Sequence, residues 1–199
     1  MRSQTPRNRH NVFINVPFDE GYEPLFVALI AGLVAVGRTP RCVVEIPEQG
    51  DGRLTRIFNL IRSCSVSIHD LSRVNMPVRF NMPFELGIAF ALRRIENHKF
   101  VVFEAERYRL QRTLSDLNGI DPGIHAGTAN GVISCVLSSL ARPNTNPDPT
   151  QVEKLYRQLW KVVPDLKRSF NGKRIYSRAI FQELVAGAAK LAIKQAIIS

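Results

Sequence analysis

The chain has 199 residues, of which 45% are hydrophobic, and its formal net charge is +10. This length accommodates one domain of about 100–200 residues with an appendage, and the hydrophobic content excludes a disordered or fibrous protein. No continuous apolar run reaches the roughly 20 residues that cross a bilayer, and the first ten residues lack the apolar segment of a secretory signal. We therefore expect a cytoplasmic protein without a transmembrane segment.

The basic excess lies at the two ends of the chain. Residues 1–10 carry three arginines and no acid, residues 11–145 carry 14 basic and 13 acidic side chains, and residues 146–199 carry ten basic and four acidic ones. The central part is nearly neutral, which argues against nucleic-acid binding through it. The basic ends are either solvated or available to an acidic partner, an anionic membrane surface or a neighbouring subunit.

Short strand-like and helix-like segments alternate along the first two thirds of the chain. In chain order, the pattern predicts strand 11–16, helix 22–36, strand 40–46, helix 53–62, strand 65–70, helix 84–94, strand 99–103, helix 111–117, strand 120–126 and helix 129–140. Such alternation indicates a parallel sheet covered on both faces. Right-handed crossovers then give a flavodoxin-like, doubly wound α/β fold of about five strands.

The last part of the chain has a different organisation. The segment 142–149 contains three prolines in eight residues and is predicted to be a linker. Beyond it, residues 152–163 and 177–198 have helical patterns, and 166–172 is ambiguous. The predicted division is a basic N-terminal arm at 1–10, an α/β domain at 11–141, the linker at 142–149, and a C-terminal helical appendage at 150–199. The appendage is too short to fold reliably alone, so we expect it to dock on the domain or on another subunit.

Polar and aromatic side chains stand near the predicted carboxyl ends of the strands, which all face one edge of a parallel sheet. They are Asn15, Phe18, Asp19 and Tyr22 after the first strand, Glu45 at the second, His69 and Asp70 at the third, and Asn81 and Glu85 just beyond it. Glu85 lies at the start of helix 84–94, whose apolar residues predict packing over most of its circumference. A carboxylate there needs a partner or a function, or it complements the helix dipole.

Missing motifs exclude several kinds of site. Neither GxGxxG nor GxxxxGK[ST] occurs, which argues against a dinucleotide dehydrogenase and a P-loop NTPase, and the absence of GxSxG argues against an α/β-hydrolase. The four histidines show no metal-ligand spacing. Cys42, Cys64 and Cys135 fit neither a disulfide framework nor a zinc pattern and are interpreted as small buried hydrophobic residues. We predict no metal and no cofactor.

The kind of site that remains after these exclusions is one in which a carboxylate acts on a nucleotide-like ligand. Cleavage of an N-glycosidic bond needs a carboxylate that stabilises or captures an oxocarbenium-like ribosyl centre. Glu85 fits that role, with Asp70 and Asn81 orienting the ribose and with Phe18 and Tyr22 stacking on the base. Structural alternatives stand beside these roles: Asp70 and Asn81 as loop caps, and Phe18 as a core residue.

Three segments resemble a known family: Val12–Phe18 (VFINVPF), Ser65–Ser72 (SVSIHDLS) and Asn81–Ala89 (NMPFELGIA). Over residues 11–141 the chain resembles a bacterial TIR-like domain family, near the nucleoside 2-deoxyribosyltransferases. The resemblance implies a flavodoxin-like sheet and a functional glutamate in the helix after the third strand. That glutamate is Glu85 here, and Asp70 matches the acid that closes the strand.

The resemblance implies more than one function. In catalytic TIR domains the glutamate supports cleavage of the nicotinamide–ribose bond of NAD, which would be a substrate and not a cofactor. In the deoxyribosyltransferases it is the nucleophile that captures deoxyribose, but the Gly-Thr pair usual before it is absent from Arg79–Phe84. A non-catalytic nucleotide-sensing or assembly module is the third alternative. A role in antiphage defence and a homo-oligomer that completes the active site are further implications.

Overall fold

The computed structural model describes residues 7–47, 52–73, 80–141 and 146–198, in which five parallel strands form one sheet. The strands are β1 (Asn8–Asn15), β2 (Thr39–Cys42), β3 (Cys64–Asp70), β4 (Lys99–Glu104) and β5 (Gly123–Ile124). The helices are α1 (Glu23–Ala35), α2 (Arg53–Ser63), α3 (Asn81–Glu96), α4 (Arg109–Thr113), α5 (Ala129–Leu140), α6 (Pro149–Ser169) and α7 (Arg178–Lys194). The expected flavodoxin-like α/β fold with C-terminal helices is confirmed.

The strand order β2-β1-β3-β4-β5 creates a switch point between β1 and β3. The chain leaves β1 toward β2 on one side and continues at β3 on the other, so the loops after β1 and β3 diverge there. The last residues of the two strands are close, with Asn15 paired to His69 in the register. Ligands of open α/β sheets bind at such a point, outside the carboxyl ends of the strands.

Helix α1 is buried on all sides. Every residue from Leu25 to Ala35 is buried, whereas a helix on the surface of a sheet normally has one buried stripe. The reason is a second layer, since α1 contacts α5, α6 and α7 as well as the sheet. The apolar faces of α6 and α7 belong to the same core as α1, through Val152, Leu155, Leu159, Val163, Ile180, Phe181, Leu184, Ala188 and Ala192.

A buried carboxylate fastens the C-terminal helices to α1. Glu23, in the first turn of α1, is 3% exposed. Its Oε2 lies 2.5 Å from Nζ of Lys167 in α6, and its Oε1 accepts a hydrogen bond of 3.1 Å from the backbone N–H of Ile175. Because this carboxylate has partners from the segment beyond residue 149, the C-terminal helices are integrated into the fold.

Helix α3 differs from its prediction in both packing and extent. Phe84, Phe90 and Ile95 are 54%, 41% and 78% exposed, so the expectation of packing over most of the helix circumference is wrong. Within the described residues the main packing partners of α3 are β3, β4 and α2, and the side of the helix that carries these three residues stays exposed. The helix also begins at Asn81, so Glu85 lies in the second turn, where the helix dipole is weak.

Several other strands and helices begin or end at residues that differ from the prediction. The strand predicted at 40–46 stops at Cys42, because the Glu45 carboxylate accepts a hydrogen bond of 2.7 Å from the Cys42 N–H and closes a 3₁₀ turn at Val43–Glu45. The strand predicted at 120–126 is reduced to β5, which pairs only with β4. Helix α6 continues through Pro164, past the end predicted at 163, and Lys167 in this continuation pairs with Glu23 of α1.

The predicted N-terminal arm and the predicted linker are described only in part. β1 begins at Asn8, inside the predicted arm 1–10, and Arg7 is tied to Glu96 through hydrogen bonds of 2.7 Å to its carbonyl and 3.2 Å to its carboxylate. Residues 1–6 of the arm and the first four residues of the linker 142–149 lie outside the described residues, as do residues 74–79, for which the sequence predicts a loop.

The cysteine prediction agrees with the structure. Cys42, Cys64 and Cys135 are free and buried, and burial raises the pKa of the Cys42 and Cys64 thiols to about 12. Among the described helices, none has the length and apolar character needed to cross a membrane.

Candidate functional site

Glu85 lies where α3 meets the start of α2 and the end of β2. Its side chain is buried, at 4% exposure, and burial raises the pKa of its carboxyl to about 7, while the positive charge of Arg53 and a hydrogen bond from the Asn81 side chain offset part of that rise. Glu85 in turn contributes to the raised pKa of Cys42, the last residue of β2. The carboxyl group is therefore at the edge of the sheet where the strands end.

Asn15 and His69 lie together between the sheet and α3. The Asn15 amide nitrogen donates a 3.0 Å hydrogen bond to the Met82 carbonyl and lies 3.1 Å from Nδ1 of His69. Since an amide nitrogen only donates, Nδ1 of His69 accepts and its Nε2–H donates to Oγ of Ser67 at 2.8 Å. Burial and the neighbouring His98 lower the pKa of His69 to about 3, so this histidine is neutral and joins β3 to Asn15 of β1, which in turn bonds α3.

Asp70 is completely buried and has four hydrogen bonds. Its carboxylate accepts from the Tyr22 hydroxyl, from the backbone N–H of Ser72 at 2.9 Å and from the Ser72 hydroxyl, and it lies 3.1 Å from Nε2 of His125. Burial opposes ionisation, but His125, Ser72 and Tyr22 outweigh it and lower the pKa of Asp70. Both oxygens of the Asp70 carboxylate are therefore occupied by hydrogen bonds to other protein groups.

The tautomer of His125 follows from its other neighbour. The Gly127 N–H donates to Nδ1 of His125 at 3.0 Å, so the proton of the neutral ring is on Nε2. That N–H points at Asp70 and at the Ser72 hydroxyl, which is 2.7 Å away. The ring therefore has no free nitrogen that could remove a proton from Ser72, and the Ser–His–Asp contact is structural.

Polar residues that the sequence interpretation left out also lie at the carboxyl ends of strands. Glu104 closes β4, is 1% exposed and pairs with Arg109, whose Nε donates to Oε2 of Glu104 at 2.8 Å. Arg109 also donates to the Ser72 carbonyl at 2.7 Å and so links the β3 and β4 loops. Glu104 is the last residue of β4, as Asp70 is of β3, and His125 comes directly after β5. Their positions at strand ends could have identified Glu104 and His125 from the sequence.

Phe18 and Asp19 contact the connection between α6 and α7. The ring of Phe18 stacks on Tyr176, with centroids 4.9 Å apart and planes inclined by 29°. The Asp19 carbonyl accepts a 2.8 Å hydrogen bond from the Tyr176 hydroxyl, and its Oδ2 lies 3.5 Å from Nε of Arg73. The two residues thus connect the β1–α1 loop to the C-terminal segment.

A cavity of about 480 Å³ opens beside these aromatic rings. It is lined by Phe18, Val43, Val44, Ile46, Pro47, Arg53, Tyr176, Ser177 and Arg178. Of the residues predicted to bind a substrate, Phe18 is the one that lines this cavity. Tyr22, at 5% exposure, has its hydroxyl on Asp70 and does not reach it, and Asn15 and His69 are enclosed between β1, β3 and α3.

The geometry separates the predicted site residues into two groups. Asn15, Tyr22, His69 and Asp70 form buried hydrogen bonds that hold the strand ends and loops in place. Glu85 lies beside Arg53, and Arg53 lines the cavity with Phe18. In the described part of the chain, no group of three His, Cys, Asp or Glu residues is arranged to hold a metal ion.

Comparison with known proteins gives no family for the chain. It matches no protein-family model and no curated protein.

Proposed function

We propose that the protein is a TIR-like N-glycosidase that cleaves the nicotinamide–ribose bond of NAD or of a related nucleotide. The observation that supports this most directly is the buried carboxyl of Glu85 at the carboxyl edge of the sheet, with its pKa raised to about 7. The resemblance of residues 11–141 to TIR-like domains supplies the reaction. A cavity of about 480 Å³ lined by Arg53, whose positive charge acts on Glu85, is compatible with it.

The reaction requires stabilisation of positive charge. When the bond between C1′ of the ribose and the ring nitrogen breaks, its electron pair neutralises the nicotinamide ring and leaves a cationic ribosyl centre. A carboxylate removed from water interacts with such a centre more strongly than a solvated one does. Addition of water at C1′ and loss of one proton then gives an ADP-ribosyl product, and attack by a hydroxyl of the same molecule gives a cyclic one.

The residues around Glu85 have different duties in this proposal. Asn81 is exposed and hydrogen-bonded to Glu85, so it can orient the carboxylate and reach a ribose hydroxyl. Arg53 keeps part of the Glu85 population ionised at neutral pH by its positive charge. Asp70 and His69 act on the site by fixing the loops after β3 and β1, since their polar atoms are occupied by protein partners.

The TIR-like resemblance also suggests where such an activity belongs. We propose a role in bacterial antiphage defence, in the cytoplasm, with an active site completed by assembly of several copies. The exposed Phe84, Phe90 and Ile95 form apolar surface on α3, the helix that also carries Glu85, which is compatible with such assembly.

A turnover assay tests the proposed reaction. The purified protein, dilute and concentrated, is incubated with NAD and with a panel of deoxynucleosides, and base release is followed by chromatography. We expect release of nicotinamide that is abolished in Glu85→Gln and retained in Glu96→Gln, which changes a carboxylate at the other end of α3.

Each of the other outcomes selects a different function. Release of free base from deoxynucleosides, lost in Glu85→Gln, would support the deoxyribosyltransferase alternative. Nucleotide binding without turnover at any concentration would identify a sensing or assembly module. Nicotinamide release by Glu85→Gln at the wild-type rate would rule out Glu85 as the catalytic carboxylate.

A further inference from the structure

Four separate segments of the chain build the 480 Å³ cavity beside Arg53. The β1–α1 loop contributes Phe18, the turn after β2 contributes four apolar residues, and α2 contributes Arg53. The α6–α7 connection, with the first residue of α7, contributes Tyr176, Ser177 and Arg178. Small-molecule sites commonly occupy about 300–1,000 Å³ and combine apolar walls with a few polar groups. The cavity has this composition and this size.

The C-terminal wall of the cavity is held firmly by the α/β domain. Tyr176 stacks on Phe18 and donates its hydroxyl proton to the Asp19 carbonyl. One residue earlier, the N–H of Ile175 is bound by the buried Glu23. Arg178 therefore begins α7 from an anchored position, which keeps the main chain of this arginine at the rim of the cavity.

The charges around the cavity favour an anion. Arg53 and Arg178 are exposed and line it, and within the described residues neither makes an ion pair within 4 Å. Among the described residues, three carboxylates on the elements around the cavity are already paired with cations, since Asp19 faces Arg73, Glu45 faces Arg41 at 2.9 Å, and Glu23 faces Lys167. Glu85 interacts with Arg53 electrostatically.

We propose that this cavity is a phosphate-binding subsite in which Arg53 and Arg178 hold the phosphate groups of a nucleotide. The C-terminal segment, outside the α/β domain, thereby supplies part of the ligand site. Guanidinium groups suit this role because they donate paired, charge-assisted hydrogen bonds to phosphate oxygens. If Glu85 is the reacting carboxylate, as the proposed function states, the subsite restricts substrates to phosphorylated nucleotides and excludes nucleosides.

Binding of simple ligands tests the subsite independently of turnover. Inorganic pyrophosphate, ADP and adenosine are titrated into the full-length protein and into its Glu85→Gln variant by isothermal calorimetry. We expect pyrophosphate and ADP to bind, with affinities that fall as salt is raised, and adenosine to bind at least about tenfold more weakly than ADP. Arg53→Ala and Arg178→Ala should each weaken ADP binding by about 10- to 100-fold.

The control removes the same charge from elsewhere on the C-terminal helices. Arg157 lies on α6, where its guanidinium pairs with Glu153 and is 69% exposed, so Arg157→Ala should bind ADP as the wild type does. Because all three arginines are exposed, thermal unfolding should show that the variants are folded. Equal loss of ADP affinity in Arg157→Ala, or no loss in Arg53→Ala and Arg178→Ala, would overturn the subsite.

The test keeps the two proposals apart. ADP binding that depends on Arg53 and Arg178 supports the subsite even if the wild type does not hydrolyse NAD, a result that would contradict only the proposed function. Conversely, NAD hydrolysis that requires Glu85 but is unaffected by both arginine substitutions would overturn the subsite. Adenosine binding as tight as ADP binding would also overturn it.

Discussion

The ionised form of Glu85 is unfavourable to the fold, because burial raises the pKa of its carboxyl from 4.5 to about 7. The folded protein binds a proton that the unfolded chain has lost, so the contribution of this group is fully present below about pH 4.5 and is lost as the pH rises through 7. Glu85→Gln should therefore raise the free energy of unfolding above pH 7, by at most about 3 kcal/mol. Urea denaturation of both proteins at about pH 8 measures this, with Glu96→Gln as the control that should show no gain.

The same pKa determines how the proposed activity depends on pH. Only ionised Glu85 stabilises a cationic ribosyl centre, so kcat/KM for NAD should rise about tenfold per pH unit below pH 7 and level off above it. Initial rates of nicotinamide release between about pH 5.5 and about pH 8.5 give the profile. A rate that stays constant across this range would show that no group with this pKa is needed in its ionised form.

Two buried histidines make the protein sensitive to acid. Burial lowers the pKa of His69 from 6.5 to about 3 and that of His98 from 6.5 to about 4. Both are neutral in the fold and become protonated in the unfolded chain, so stability present above pH 6.5 should be lost as the pH falls toward 4. Urea denaturation at several pH values measures this loss. It is done in the Glu85→Gln variant, because Glu85 changes the stability with pH in the opposite direction. Adding His98→Gln should reduce the pH dependence of the free energy of unfolding.

At the scale of elements, the α6–α7 connection is stabilised through one tyrosine. Tyr176→Phe keeps the stack on Phe18 and removes the hydrogen bond to the Asp19 carbonyl, and should lower the free energy of unfolding by about 1 kcal/mol. Tyr176→Ala also removes the ring that lines the cavity, and should cost more stability and weaken ADP binding. Calorimetric titration and urea denaturation measure the two effects. A Tyr176→Ala protein with wild-type ADP affinity would show that this wall is not part of a ligand site.

Elements with a strong local pattern were predictable from the sequence, and those defined by distant partners were not. The apolar run that forms α1 and the strand-like run of β3 are evident in the chain itself. The 3₁₀ turn at Val43–Glu45 depends on a side-chain hydrogen bond, and β5 depends on pairing with β4. The first turn of α3 contains Pro83 and follows loop-like residues, so its true start at Asn81 gave no clear signal.

The sequence predicted which residues lie at the strand ends better than it predicted where their side chains point. The rule that strands of a parallel sheet end at one edge predicted that Asn15 and His69 are neighbours, and their side chains lie 3.1 Å apart. It could not show that Asp70 turns toward Tyr22 and His125, because His125 lies more than fifty residues away in sequence. Nor could it reveal that Tyr176 and Arg178, from the predicted appendage, line the cavity with Phe18.

At the scale of the whole molecule, the α/β domain and the C-terminal helices share one core. A chain ending at residue 141 would expose the side of α1 that α6 and α7 cover, and would leave the buried Glu23 without Lys167 and the Ile175 N–H. We expect this truncated protein to aggregate or to bind a hydrophobic dye, as seen by size-exclusion chromatography and dye fluorescence. A monomer with cooperative unfolding would show that residues 11–141 form an independent domain.

The central position of α1 also affects the order in which the protein can fold during synthesis. α1 ends at Ala35 and the helices that cover it begin at Pro149, more than one hundred residues later. At about 5–20 residues per second, the ribosome needs on the order of ten seconds to cover this interval. During that time one side of a helix that is apolar from Pro24 to Ala35 is open to chaperones and to other nascent chains. The yield of native protein in a cell should therefore depend on what binds the uncovered side of α1 before α6 and α7 are synthesised.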